Sequence, residues 1–173
     1  MLEALIFVVF PFCMVFAAVS DMLSMTIANR VSVLLAVTFA VVAPLTGMDW
    51  QTFGLHAAAA ATVLSVTFVL FAVGGMGGGD AKLLAATSLW MGFTMSLVVY
   101  LVSSAFLGGV LTIMILYFRR SPFAVLAGNN VFLRHLADRS AQIPYAIALG
   151  AGGLLTYPES PLMVWAIGRM SGQ

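Results

Sequence analysis

The sequence predicts an all-α membrane protein that crosses the bilayer six times. Its 173 residues are 62% apolar and only 8% charged, whereas soluble domains carry about 25% charged residues. The apolar residues form runs as long as membrane helices, and the few charges fall mostly between these runs. We therefore expect one transmembrane domain over residues 1–173, in contact with lipid.

Three apolar runs in the first half of the chain approach the length of about 20 residues that a membrane helix needs. The first covers residues 5–20 and ends at Asp21. The second covers residues 31–46 and stops at a turn-like Gly-Met-Asp-Trp segment, and the third, residues 53–73, leads into a glycine run. Each run predicts one membrane helix.

The second half of the chain predicts three more spans. Residues 83–118 form a stretch of 36 residues without a charge. At about 1.5 Å per residue this stretch is too long for one crossing of about 30 Å, so we expect two helices that reverse near residues 92–96. A polar stretch, residues 119–142, is expected to be a cytoplasmic loop. The sixth span starts near Ile143 and is broken at residues 158–161.

The basic residues predict the orientation of the six spans. Alternating the spans places six of the seven basic residues on one side: Arg30, Lys82, Arg119, Arg120, Arg134 and Arg139. Cytoplasmic loops carry an excess of Lys and Arg, so both termini are expected on the non-cytoplasmic side. Asp21 ends span one and Asp80 precedes span four, and so both acids are expected at the cytoplasmic edge of the membrane.

Asp80 and Asp21 are the candidate catalytic residues. Asp80 ends a run of seven residues, five of them glycine, and a carboxylate at such a position costs several kcal/mol unless it is paired or hydrated. Two carboxyl groups about 3 Å apart share one proton, so one can take a proton from water while the other polarises a peptide carbonyl. Glycines beside the pair leave room for a substrate backbone.

Other uses of these residues stay open on chemistry alone. An intramembrane aspartate also serves as an ion ligand, a helix cap or a salt-bridge partner. Glycine runs mark unwound helices in transporters and close helix packing as well. The residues by themselves therefore allow a protease, an ion or substrate pathway, or a structural role.

Nucleic-acid, metal and cofactor chemistry has little support in the sequence. The formal charge is only +1, and no basic run suggests binding to nucleic acid. Cys13 is the single cysteine, and His56 and His135 are far apart in the chain. We expect no metal site and no cofactor.

The motifs resemble those of the type IV prepilin peptidases, membrane aspartic proteases of the GxGD class. Gly77, Gly78, Gly79 and Asp80 match the GxGD motif, and Ala-Lys-Leu-Leu-Ala-Ala follows it. After Asp21 comes Ile-Ala-Asn where the family usually has Ile-Pro-Asn, and Ile-Pro-Tyr-Ala begins at position 143. The alanine in place of proline loosens the turn after Asp21.

The resemblance implies a substrate, a mechanism and a location. The substrate would be a prepilin or pseudopilin with a short basic leader before a hydrophobic helix. Water held between Asp21 and Asp80 would hydrolyse it at the cytoplasmic face of the bacterial inner membrane. Either aspartate could be the base, and the sequence gives neither the oligomeric state nor the particular prepilin.

The short connection between the first two predicted spans suggests the subtype. Larger members of the family insert a cytosolic domain with paired cysteines at this point and also N-methylate the new pilin terminus. Here only eight residues separate Asp21 from Arg30, and there are no paired cysteines. The chain resembles the short form that serves Flp-type (tight-adherence) pili, so cleavage without methyl transfer is expected.

Supporting roles are expected for a few neighbours of the acids. Gly77, Gly78 and Gly79 would admit the substrate backbone. Lys82 would contact the substrate, a lipid phosphate or the two acids, or it would only be a surface charge that sets the topology. Asn29 would cap span two or form a hydrogen bond near the acids. The loop of residues 119–142 would contact anionic lipid or pilus assembly machinery.

Two rival functions come from other classes of protein. The first is a small ion-coupled transporter subunit with Asp80 as an ion ligand, and the second is a non-catalytic scaffold of a pilus or secretion machine. A signal-peptide-peptidase type of protease fits less well. That type has a Tyr-Asp pair and a Pro-Ala-Leu element, whereas Asp21 follows Ser20 and no Pro-Ala-Leu occurs.

Overall fold

The computed structural model describes residues 1–121 and 143–172, and this part of the chain is helical without strands. We number its helices α1 to α7. They are α1 (Leu2–Ser24), α2 (Asn29–Leu45), α3 (Trp50–Ala72), α4 (Gly78–Met91), α5 (Met95–Arg120), α6 (Ala146–Thr156) and α7 (Pro161–Met170), with a 3₁₀ turn (Tyr157–Glu159) between the last two. The predicted all-α class is confirmed.

Three of the helices are long and apolar enough to cross a membrane: α1, α3 and α5, with 23, 23 and 26 residues. The apolar helix α2 has 17 residues. At about 1.5 Å per residue, the 14 residues of α4 and the 11 of α6 extend over only about 21 Å and 17 Å. The structure thus supports a membrane protein with three clear candidate spans, and the count of six stays a prediction.

The helix boundaries agree with the sequence at the two predicted breaks. The uncharged stretch divides where a reversal was expected, because α4 ends at Met91 and α5 begins at Met95. The last apolar segment breaks at the 3₁₀ turn that contains Pro158. Of the predicted loop at residues 119–142, Arg119 and Arg120 form the last turn of α5, and residues 122–142 lie outside the described residues.

An aromatic cluster in the core joins α1, α4 and the 3₁₀ turn. Phe10 stacks on Tyr157 with ring centroids 3.9 Å apart, and Trp90 lies 5.5 Å from Phe10. The polar atoms of the two larger rings are satisfied by backbone carbonyls, since Tyr157 donates to Ile6 O at 2.6 Å and Trp90 to Leu35 O at 3.1 Å. These contacts fix α4 and the C-terminal segment against α1.

Close packing of α6 depends on its glycines. A Cβ atom at Gly150 would lie 2.9 Å from Met14 O on α1, and one at Gly152 would overlap Ser104 on α5. Small residues let membrane helices approach each other closely, where dispersion contacts hold them together. The N-terminus of α6 is therefore held beside the C-terminal part of α1, where Asp21 lies.

The turn between α4 and α5 requires glycine at position 92. Gly92 has a φ of +63°, and a Cβ there would lie 2.7 Å from the His56 ring. That ring is buried and its Nδ1–H donates to Leu89 O at 2.7 Å, so it has little freedom to move.

Replacing Gly92 with alanine is expected to lower the free energy of unfolding. The strained φ and the collision with His56 together should cost about 2–3 kcal/mol, which would lower the melting temperature in detergent by several degrees. A matched control is Gly109→Ala on α5, where nothing lies within 4 Å of the added Cβ. Equal melting temperatures for the two variants would contradict the prediction.

Candidate active site

Asp21 lies in the last turn of α1. The sequence placed the end of the first span at this residue, but the helix continues to Ser24 and ends at Met25, which has a left-handed φ of 52°. The side chain is only 6% exposed. Asp21 therefore points into the protein from a helix and is not part of a loop.

Asp80 lies in the first turn of α4. Gly77 is the N-cap of this helix, and helix N-termini favour negative charge because of the macrodipole. The Asp80 side chain is half-buried, and its Oδ1 has no hydrogen-bond partner in the part of the chain that the structure describes. This oxygen is itself buried, and a buried polar atom without a protein partner is unusual in native structures.

The structure places the two acids at one cavity. Both carboxyl groups line one cavity of about 230 Å³, and they interact electrostatically. The other residues of its wall come from the turn after α1, the glycine run and the segment before α6: Met25, Thr26, Ile27, Gly77, Gly78, Gly79 and Ile143. We call this space the acid cavity. Two interacting carboxyl groups titrate as a pair, which is the arrangement that acid–base catalysis of hydrolysis needs.

A backbone group that we did not predict holds Asp21. The N–H of Ala146 donates to Asp21 Oδ2 at 3.0 Å. Ala146 is the first residue of α6, so the positive end of that helix faces the carboxylate. The segment before α6 is anchored in turn, because the Tyr145 hydroxyl lies 3.2 Å from Thr112 Oγ1 and its ring packs against Gly108 on α5.

A wider cavity of about 600 Å³ adjoins the acid cavity. Asp80, Gly77, Gly78 and Ile143 line both spaces. The wider cavity also borders the exposed part of the glycine run and the side chains of Phe71, Arg119 and Tyr145. Asp80 therefore lies at the border between the two cavities.

The three glycines before Asp80 also lie close to the protein's own side chains. An added Cβ at Gly77 would lie 2.7 Å from Asp80 Oδ2, one at Gly78 would lie 3.2 Å from the Phe71 ring, and one at Gly79 would lie 3.1 Å from Ile27 Cβ. Gly78 and Gly79 let α4 begin close to α3 and to the turn between α1 and α2. Their predicted role in admitting a substrate backbone stays a prediction.

Lys82 and Asn29 lie outside the acid cavity. Lys82 Nζ donates to Asn29 Oδ1 at 3.0 Å, and both side chains are exposed. The expectation that Asn29 caps α2 is wrong, because Ala28 occupies the cap position and Asn29 is the first helical residue. Together they link the start of α2 to the start of α4.

Metal ligands do not cluster among the residues that the structure describes. No group of three His, Cys, Asp or Glu side chains there could hold an ion. His56 binds a backbone carbonyl, and His135 lies outside the described residues. The chemistry that the described site offers is that of two carboxyl groups.

Comparison with known proteins places the chain in a family. Residues 8–113 match the Type IV leader peptidase family. The chain is 33% identical over 150 residues to Prepilin leader peptidase/N-methyltransferase of Bacillus subtilis (strain 168). The match covers 87% of this chain but 54% of the relative, so the chain spans about half of that protein's length. No solved structure matches the chain significantly. Because the family match includes more than half of the residues, together with Asp21 and Asp80, this protein belongs to the Type IV leader peptidase family.

Proposed function

We propose that this protein is a membrane aspartic endopeptidase that removes the leader peptide of type IV prepilins. The observation that carries the proposal is the shared cavity of Asp21 and Asp80. Membership of the Type IV leader peptidase family supports a peptidase, and two carboxyl groups are sufficient to hydrolyse a peptide without a metal or a nucleophilic side chain.

In the mechanism that we propose, the acid pair holds one proton and one water molecule. The ionised carboxylate takes a proton from the water as its oxygen attacks the peptide carbonyl carbon. The protonated carboxyl donates to the carbonyl oxygen, and a proton then passes to the leaving amine. The Ala146 N–H keeps the Asp21 carboxylate in place during these transfers.

The proposed substrate is a prepilin or pseudopilin with a basic leader followed by a hydrophobic helix, of the Flp type. We propose cleavage without methyl transfer, although the name of the Bacillus subtilis relative includes both activities. The support is the direct connection between the first two helices, since α1 ends at Ser24 and α2 begins at Asn29. No domain is inserted at this point.

We propose that the chain crosses the bacterial inner membrane six times, with the acid cavity at the cytoplasmic face and both termini on the other side. The distribution of cations supports this orientation. Arg30 follows Asn29, Lys82 follows Asp80 by two residues, and Arg119 lines the cavity next to Asp80. Arg169 is in α7, which packs near the opposite ends of α2 and α3. Excess basic residues mark the cytoplasmic side.

Incubating the purified protein with a Flp-type prepilin tests this function. The precursor should become shorter on a gel, and mass spectrometry should find a new N-terminus without a methyl group. A prepilin that lacks its basic leader serves as the control substrate. If the precursor stays intact and vesicles that contain the protein show an ion flux, the peptidase hypothesis is wrong and the transporter hypothesis is favoured.

A further inference from the structure

An open groove lies between α2 and α3, with α4 as its floor. Its volume is about 490 Å³. The groove exists because α2 and α3 touch only sparsely, whereas both pack extensively on α4. Val33 and Leu64 on its rims are 58% and 44% exposed. In a membrane, the groove would open towards the lipid.

The groove begins beside the acid cavity. Two successive contacts join the walls of the two spaces, one between Ile27 and Gly79 and the next between Asn29 and Lys82. Ile27 and Gly79 line the acid cavity, and Asn29 and Lys82 line the polar end of the groove. From Lys82 the groove follows α4 to Leu89, a distance of about 10 Å along the helix.

The residues that line the groove are suited to a helix. Five of them are alanines: Ala36, Ala60, Ala61, Ala85 and Ala86. Small residues in membrane proteins mark surfaces where helix backbones approach closely, whereas a lipid chain packs equally well on large apolar side chains. No helix of the described part of the chain occupies this surface.

We propose that the groove binds the hydrophobic helix of the substrate. The helix would begin at Lys82 and Asn29 and run towards Leu89, so that the extended segment before it reaches Asp21 and Asp80. This inference rests on the proposed function, because it takes the substrate to be a leader followed by a hydrophobic helix. The groove then acts as a positioning surface that brings the cleaved bond to the acid cavity.

Filling the groove tests the proposal. Ala60→Phe should lower the cleavage of a membrane-embedded precursor about tenfold relative to the cleavage of a short peptide that lacks the hydrophobic helix. The matched control is Ala58→Phe, because Ala58 is exposed, lies about 160° around α3 from Ala60 and does not line the groove. If Ala60→Phe leaves the ratio of the two rates unchanged, the groove does not bind the helix and the proposal is wrong.

A disulfide cross-link separates the failure of this proposal from that of the proposed function. The single native cysteine, Cys13, is buried, so Ala60→Cys introduces the reactive thiol. In an Asp80→Asn background, it should cross-link to a cysteine in the precursor's hydrophobic helix, whereas Ala58→Cys should not. If the parent protein cleaves the precursor but this cross-link does not form, lipid fills the groove. That result would overturn the groove proposal and leave the proposed peptidase function intact. If the cross-link forms but the parent protein does not cleave the precursor, the groove binds the helix and the proposed peptidase function is wrong.

Discussion

Replacing either Asp21 or Asp80 with asparagine is expected to abolish leader cleavage. The rate should fall by about 10³-fold or more, because the amide has the size of the carboxylic acid but neither takes nor gives the proton that hydrolysis requires. The fold should persist. An asparagine oxygen at position 21 can still accept the Ala146 N–H, which donates to Asp21 at 3.0 Å. The measurement is the gel mobility of a co-expressed precursor, together with the amount of enzyme in the membrane.

A carboxylate outside the site gives the matched control for these variants. Glu159 is exposed in the 3₁₀ turn, away from the acid cavity, and Glu159→Gln should cleave as well as the parent. The double variant should be no slower than either single variant, because residues that act as a unit are not additive. Normal processing by Asp21→Asn or Asp80→Asn would show that the pair is not the catalyst.

The sequence could single out the two acids because the free-energy cost of burying a carboxylate is local. A carboxylate between apolar runs must be compensated, and the bias of the basic residues predicts the same depth for both acids. The reversal at Gly92 and the break at Pro158 were predictable for a similar reason. Glycine at positive φ and proline impose their geometry on the backbone whatever packs around them.

The features that the sequence could not predict depend on tertiary contacts. Ala146 contributes a backbone N–H, and the residue type at a position does not show which backbone group will bind a side chain. This N–H also reaches Asp21 from a position 125 residues later in the chain. The lengths of the helices could not be predicted from the sequence either, because an uncharged stretch does not show where a helix starts. Asn29 is a favourable capping residue, but the structure places Ala28 at the cap and uses Asn29 to accept from Lys82. In each case packing overrides the local preference.

Replacing Gly77 with alanine is expected to lower cleavage about 10²-fold while the protein stays folded. The backbone at Gly77 has a φ of −70° and a ψ of 142°, which alanine adopts without strain. The added Cβ, however, would lie 2.7 Å from Asp80 Oδ2. The short Asp80 side chain must rotate away, and a displacement of about 1 Å in a catalytic group can cost about 10²-fold in rate. The turnover number should fall, and the Michaelis constant should change little.

The control for Gly77→Ala must distinguish a loss of activity caused by displacement of the Asp80 side chain from the general effect of adding a methyl group. Gly54→Ala on α3 provides it, because nothing lies within 4 Å of a Cβ at that position. Both variants should have melting temperatures close to that of the parent, since neither change strains the backbone, and only Gly77→Ala should lose activity. Full activity of Gly77→Ala would mean that the working enzyme does not hold the Asp80 carboxylate against Gly77, and the acid cavity would then have to rearrange before catalysis. A loss of activity that comes with a lower melting temperature would instead assign Gly77 to the stability of the start of α4.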